Sequence, residues 1–524
     1  MLAILLCLLP IAAAHPFAAS ATPGLDALDA SSRREALVAR FDAHFADDHA
    51  EASGCLTGLV ADLKANWDVF STEERARMTA ALSPWKTDLL EAQPATPPAP
   101  PAAAAEDSCF GQQMDNRLTG EHFVVEWDDG TPDAYADAFL EALEASYQVE
   151  VVELEWRAPL GDGRYLMPAY IERGNSQGAY TTVAECGRSY VPYMVAYSGS
   201  WADASWADTM AAHEFNHALQ FGYGWALEFW FWEATATYVE DSVFESDWWT
   251  WYVSGYSVNP HIAMGASSQD DEDIFWHMYG MAIWVRYLHE YQGGLDTVKQ
   301  IWELGSEQRT NGYDYTQEEA LTEAGVDFQA AYLDFIARTS VMDYEDHRAL
   351  SAYASVAMSD TIDSLPAEGE SESRTEPEGY GQNFYTFDAG MGDGTLRVTF
   401  EGEDAVEWGI VLAENDGRAV TRSVSVVTEG GVGTLDLTGY GDEEVVLVVS
   451  PLTDADRGRS YTWSAELVAE AAEGDDTGTD DDGLSDGGED VKLGGSCGCA
   501  SSTAAGSGWV AAGALALVLA RRRR

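Results

Sequence analysis

The rhythm of apolar and polar positions changes three times along the chain. From about residue 24 to 92, apolar residues recur every three or four positions, as in Arg33 to Phe45 and Thr72 to Leu82, which predicts helices. Between about 110 and 356 the first half carries apolar runs of strand length, His122 to Trp127, Tyr165 to Ile171 and Tyr190 to Tyr197, with a helical stretch from Pro132 to Tyr147. The second half is mostly helical in period. From about 380 to 468, short β-type runs (Thr395 to Phe400, Gly409 to Leu412, Val420 to Val427, Val445 to Val449, Tyr461 to Leu467) are separated by Gly, Asp and Asn turns, the pattern of a sandwich. An α+β chain is therefore expected, and 524 residues are too many for one compact core. The expected layout is a signal peptide at 1–22, a helical N-terminal region at 23–92, a Pro/Ala-rich linker at 93–108, a catalytic domain at 109–356, a β-sandwich accessory domain at 370–468, an acidic disordered linker at 469–493 and a C-terminal sorting segment at 494–524.

Chemistry enters with His213-Glu214-Phe215-Asn216-His217. The preceding Ser205 and Asp208 suit a cap or first turn, and Ala211, Ala212, Ala218 and Leu219 are helix formers, so the motif is expected on a helix. Residues four apart share one face, so His213 and His217 can hold one metal ion. Glu214 then stands beside the open coordination position, where a carboxylate can take a proton from water. After a Gly-Tyr-Gly turn at 222–224, the stretch Trp230-Phe231-Trp232-Glu233-Ala234-Thr235-Ala236-Thr237-Tyr238-Val239-Glu240 reads as a second helix. Glu240 lies seven residues beyond Glu233, on the same face, where it could orient a ligand histidine.

These two helices resemble the gluzincin (thermolysin-like) zinc peptidases. The resemblance implies Glu233 as the third protein ligand of one Zn2+ ion, with Glu228 a rival that lacks the flanking pattern. It implies Glu214 as the general base of peptide-bond hydrolysis, and a Tyr or His further on as donor to the oxyanion, Tyr279 preferred over His277. The spacing of 16 residues from His217 to Glu233 is shorter than in the best-known members, so the connecting loop is expected to be shortened. No Gly-x-Met-Glu-Asn segment of the aminopeptidase type occurs, which favours an endopeptidase acting on protein or peptide substrates. The alternative is a non-catalytic surface binding or adhesion protein that retains the fold.

Charge and cysteines narrow the setting. With 28 basic against 89 acidic residues, a formal charge of −61, a nucleic-acid partner is excluded, because a phosphate backbone would be repelled. The acidic run 270–273 could bind Ca2+, but it suits the start of a helix better. Residues 2–14 are apolar and end in small side chains, as in a secretory signal. Export permits disulfides among Cys55, Cys109 and Cys186, with one thiol left over and the pairing open. Zinc ligation by these cysteines is not expected at such spacings, and a structural role is expected for them; the N-terminal region is a candidate propeptide without a cysteine-switch motif, and that role stays open. At the C-terminus, Cys497 and Cys499 precede a small and apolar stretch and then Arg521 to Arg524. About 20 such residues can just span a bilayer, with arginines holding the cytoplasmic end. The arrangement resembles the sorting signal of myxobacterial-type proteins, which implies Cys497 and Cys499 as sorting residues, a membrane sorting protease as partner, a transient membrane anchor and a cell-surface or extracellular destination.

Overall fold

The computed structural model describes residues 25–45, 53–82, 107–173, 177–187, 189–202, 204–224, 226–244, 248–268, 271–308, 315–455 and 457–468. The segments expected to be a signal peptide, an acidic linker and a sorting signal with Cys497 and Cys499 lie outside them. Among the described residues no helix is long and apolar enough to cross a membrane.

The chain is a mixed α+β protein, with three sheets among the described residues. Six strands form the first: β1 (Ser53–Cys55), β2 (Asn116–Thr119), β3 (Phe123–Trp127), β4 (Met167–Glu172), β5 (Gln177–Cys186) and β6 (Ser189–Tyr197). Their order is β1-β5-β6-β4-β3-β2, with β5 antiparallel to β6 and β1 parallel to β5. Strand alternation sends successive side chains to opposite faces. Ala169, Ile171, Ala179, Met194 and Ala196 enter the core shared with the helices Asp133–Tyr147 and Ala204–Gln220. Their neighbours Tyr170, Tyr180, Tyr193, Val195 and Tyr197 pack instead on Leu37, Phe41, Leu59, Leu63, Met78 and Leu82 of the N-terminal helices. Both faces are thus covered, and every residue of β3 and β4 is buried, Glu126 and Glu172 included.

Two expectations need correction here. The N-terminal region is not helical throughout, because Ser53–Cys55 forms the edge strand of this sheet. A three-residue strand carries too little period-2 signal to stand out between helices. The sandwich begins before residue 370, at β7 (Asp360–Ile362) and β8 (Ala367–Glu370), followed by β9 (Asn383–Phe387), β10 (Gly394–Gly402), β11 (Trp408–Asn415), β12 (Val420–Val427), β13 (Val432–Tyr440), β14 (Glu444–Pro451) and β15 (Tyr461–Val468). Its sheets run β13-β10-β15-β8 and β12-β11-β14-β9-β7. Ile410, Leu412, Val445, Leu447 and Val449 face the other sheet of the sandwich. Val411, Ala413, Val446 and Val448 point the opposite way, into the large core built by the helices. The sandwich therefore shares a core with the residues before it, and the described residues form one compact unit.

Candidate metal centre

The motif lies on the helix Ala204–Gln220, which ends in the turn at Gly222 and Gly224, the latter at φ 113°. The next helix, Phe229–Val243, is buried from Phe229 through Glu240. Packed side by side, the two helices bring His213 Nε2 to 3.1 Å from Glu233 Oε2 and 3.1 Å from His217 Nε2, and His217 Nε2 to 3.5 Å from Glu233 Oε2. A fourth donor comes from β1: Cys55 Sγ lies 3.4 Å from His217 Nε2. One ligand atom from each of Cys55, His213, His217 and Glu233 falls within 4.8 Å of every other, and all four residues are buried. Such a set of soft and borderline donors suits zinc. Glu233 Oε2 meets the imidazoles, and its other oxygen, Oε1, is buried with no hydrogen-bond partner, an acceptor still to be satisfied.

Electrostatics hold the group together. Burial opposes charge on His213, yet hydrogen bonds to Glu233 and Glu240 outweigh it and raise the imidazole to about 10. Burial likewise opposes charge on Glu233, and His217 and His213 win, holding it at about 2. Burial pushes the Cys55 thiol well up, with Glu214 and Glu233 adding to the effect.

Each ring is oriented from its far side. His213 Nδ1 lies 2.7 Å from Glu240 Oε1. Gln220 Nε2 donates to the Trp232 carbonyl at 3.0 Å and to Asn216 Oδ1 at 2.8 Å, so Gln220 Oε1 must be the atom 2.7 Å from His217 Nδ1. His217 Nδ1 is then the donor, and Nε2 keeps its lone pair toward the cluster. Asn216 Nδ2 in turn donates to Glu150 Oε2 at 3.0 Å, a carboxyl that burial holds well above its usual range.

Glu214 points toward the sheet. Its Oε2 accepts from the Thr181 hydroxyl on β5 at 2.7 Å and lies 3.3 Å from the Thr57 hydroxyl. The Tyr279 ring stacks on His213 at 5.8 Å, and its buried hydroxyl has no hydrogen-bond partner. His277, two residues earlier on the helix Glu272–Gly280, turns away: its ring lies 5.7 Å from Tyr256, and burial lowers it to about 3. Glu228 also stands apart, accepting from the Gln317 backbone N–H at 2.9 Å, with burial raising it to about 7. Asp271 caps its helix, accepting from Asp273 N and Ile274 N at 3.1 Å each. No acidic group among the described residues gathers there closely enough to share an ion.

The cysteines overturn an expectation. Cys109 is bonded to Cys186, and Cys55, expected to be structural and remote from zinc, is the free thiol in the cluster. Sequence spacing hid it because strand pairing, not a local motif, delivers it. Gln220, Thr181, Thr57 and Glu150 were also absent from the sequence reading. Of these Gln220 alone had a visible signal, since it falls one helical turn after His217.

The fold and its site define an α+β protein with a buried His-His-Glu-Cys cluster. The chain belongs to a family described as a family of unknown function (DUF6055), which matches residues 105–426 and so contains His213, Glu214, His217 and Glu233. No curated protein matches. Among solved structures, the pre-peptidase C-terminal domain of a collagenase from Bacillus anthracis is 13% identical with a TM-score of 0.17, over 21% of this chain and 97% of that one. A family 6 carbohydrate-binding module is 14% identical with a TM-score of 0.13, over 20% of this chain and 98% of that one. A family GH115 4-O-methyl-alpha-glucuronidase is 10% identical with a TM-score of 0.14, over 50% of this chain and 42% of that one.

Proposed function

We propose that this chain is an exported, gluzincin-like zinc endopeptidase, and the observation that carries the proposal is the convergence of His213 Nε2, His217 Nε2 and Glu233 Oε2 within 3.5 Å of one another. Two imidazoles and a carboxylate are the protein ligands of a catalytic zinc. Bound there, zinc supplies a lowered water pKa and a polarised scissile carbonyl. The chain's own residues do the rest. Glu214 takes the proton of the attacking water and returns it to the leaving amine, while the Thr181 hydroxyl fixes its carboxylate. The free Tyr279 hydroxyl donates to the oxyanion, a charge that exists only as the transition state forms. Glu240 and Gln220 keep the two imidazoles facing inward. Export is supported by the Cys109–Cys186 bond, which persists in oxidising compartments.

The test is cleavage of a casein-type substrate by chain freed of residues before 107, with and without chelator, alongside Glu214→Gln. Activity lost on chelation and in the variant supports the proposal. Equal activity of wild type and Glu214→Gln contradicts it. A second reading has its own observation. Four protein donors are the closed set of a structural zinc, and Cys55 completes such a set, as in a non-catalytic surface binding or adhesion protein. That reading predicts no cleavage even after Cys55 is removed.

A further inference from the structure

We infer that the N-terminal segment keeps the enzyme latent, with Cys55 as a removable fourth zinc ligand and Ser53–Thr57 lying where a substrate strand would add to the sheet; this rests on the peptidase reading above. Three consecutive residues engage three parts of the machinery. Cys55 Sγ sits 3.4 Å from His217 Nε2, in the cluster where Glu233 Oε1 has no other partner. The Leu56 N–H donates to the Ala179 carbonyl at 2.8 Å, extending the β1–β5 ladder along the edge beside the motif helix. The Thr57 hydroxyl lies 3.3 Å from Glu214 Oε2 and accepts from Thr181 N–H at 2.9 Å. Ligand, edge strand and general base are all taken at once, and His213, Glu214, His217 and Glu233 are at most 5% exposed beneath them.

The segment is also built to leave. Among the described residues its ion pairs Arg34–Glu74, Arg40–Asp62 and Arg77–Asp42 close within itself, while its side-chain hold on the sheet includes Lys64 Nζ donating to Thr182 Oγ1 and the Val183 carbonyl, and the Tyr180 hydroxyl donating to the Leu82 carbonyl. The sheet face beneath it carries Tyr170, Tyr180, Tyr193 and Tyr197, side chains that tolerate both an apolar contact and water, whereas the face under the motif helix carries Phe123, Val125, Ile171, Met194 and other wholly apolar side chains. The family match begins at residue 105, beyond the segment. The disulfide begins at Cys109, beyond the Pro/Ala-rich run, so hydrolysis of one peptide bond between Leu82 and Asp107, water adding across it, leaves the segment held by non-covalent contacts alone. Its departure takes the thiol, protonated by solvent, out of the site and frees the β5 edge.

The test uses cobalt(II) in place of zinc, in the full chain carrying Cys7→Ser, Cys497→Ser and Cys499→Ser so that Cys55 is the thiol examined. The expected result is a thiolate-to-cobalt charge-transfer band in the near ultraviolet, lost in Cys55→Ser and Cys55→Ala, which still take up one cobalt; once the chain is cleaved before Asp107 and the segment separated, casein is cleaved at least an order of magnitude faster than by the unprocessed parent. Cobalt bound without that band overturns the inference and leaves the metal centre standing. The band without any gain of activity after cleavage before Asp107 and separation of the segment overturns latency and makes Cys55 a structural ligand. Failure of every form to bind cobalt overturns the metal centre itself and the inference with it.

Discussion

Gln220→Leu is the sharpest perturbation of the site's support. The leucine fills similar space but removes both the acceptor for His217 Nδ1–H at 2.7 Å and the donor to Trp232 O and Asn216 Oδ1. A neutral hydrogen bond contributes about 1 kcal/mol, roughly a fivefold change in affinity. Loss of the preferred tautomer adds to this, and outer partners of metal-bound histidines are commonly worth 10–100-fold, so zinc binding is expected to weaken by about tenfold. Separately, each buried acceptor left without a donor costs about 1–3 kcal/mol of stability. Gln220→Glu separates the two effects. It keeps an acceptor for His217 and loses the donor, so it lowers the melting temperature while zinc affinity holds or tightens. Competition with a zinc-binding dye gives the affinity, and thermal melting of the metal-free chain gives the stability. An affinity for Gln220→Leu within twofold of wild type, in a folded chain, would refute the tautomer argument.

Glu214→Gln is expected to retain zinc and lose about 10²–10⁴-fold in kcat, the usual worth of a positioned general base, read by steady-state proteolysis with metal analysis of the same sample. Tyr279→Phe should lower kcat by about 10²-fold with KM little changed, because its hydroxyl acts only on the transition state; a KM effect alone would argue that the ring merely packs. Glu172, on β4, is raised to about 8 by burial, with Asp128 adding to it, so its protonated form is favoured in the folded chain. Stability is then full below about pH 4.5 and falls as pH rises through about 8, and Glu172→Gln should flatten that loss, by an amount on the order of a few kcal/mol at pH 8 in urea titrations.

The part of the site that lies on consecutive helical turns was legible in the sequence. His213, Glu214 and His217 follow from i,i+4 spacing, and Glu240 from two turns beyond Glu233. Choosing between Tyr279 and His277 was not, since both sit in one apolar run and face selection depends on what packs against them; Tyr256 draws the histidine away and His213 meets the tyrosine. Thr181 escaped because Gln177–Cys186 mixes small, polar and apolar residues on a strand buried on both faces, so no clean alternation marks it. Cys55 escaped for a deeper reason. It stands 162 residues from His217 and is delivered by a three-residue edge strand, a contact of tertiary origin with no local signature. The same holds for the sandwich strands Asn383–Phe387 and Val432–Tyr440, one buried on both faces and the other largely exposed.

The most direct measurement is the metal content of the purified chain, by elemental mass spectrometry after dialysis, compared with His217→Ala and Glu233→Ala. One zinc per chain, lost in both variants while circular dichroism stays native, is the expected result. A wild-type chain without bound metal after exposure to zinc, or variants that hold it as tightly as wild type, would contradict the shared ion on which the whole account depends.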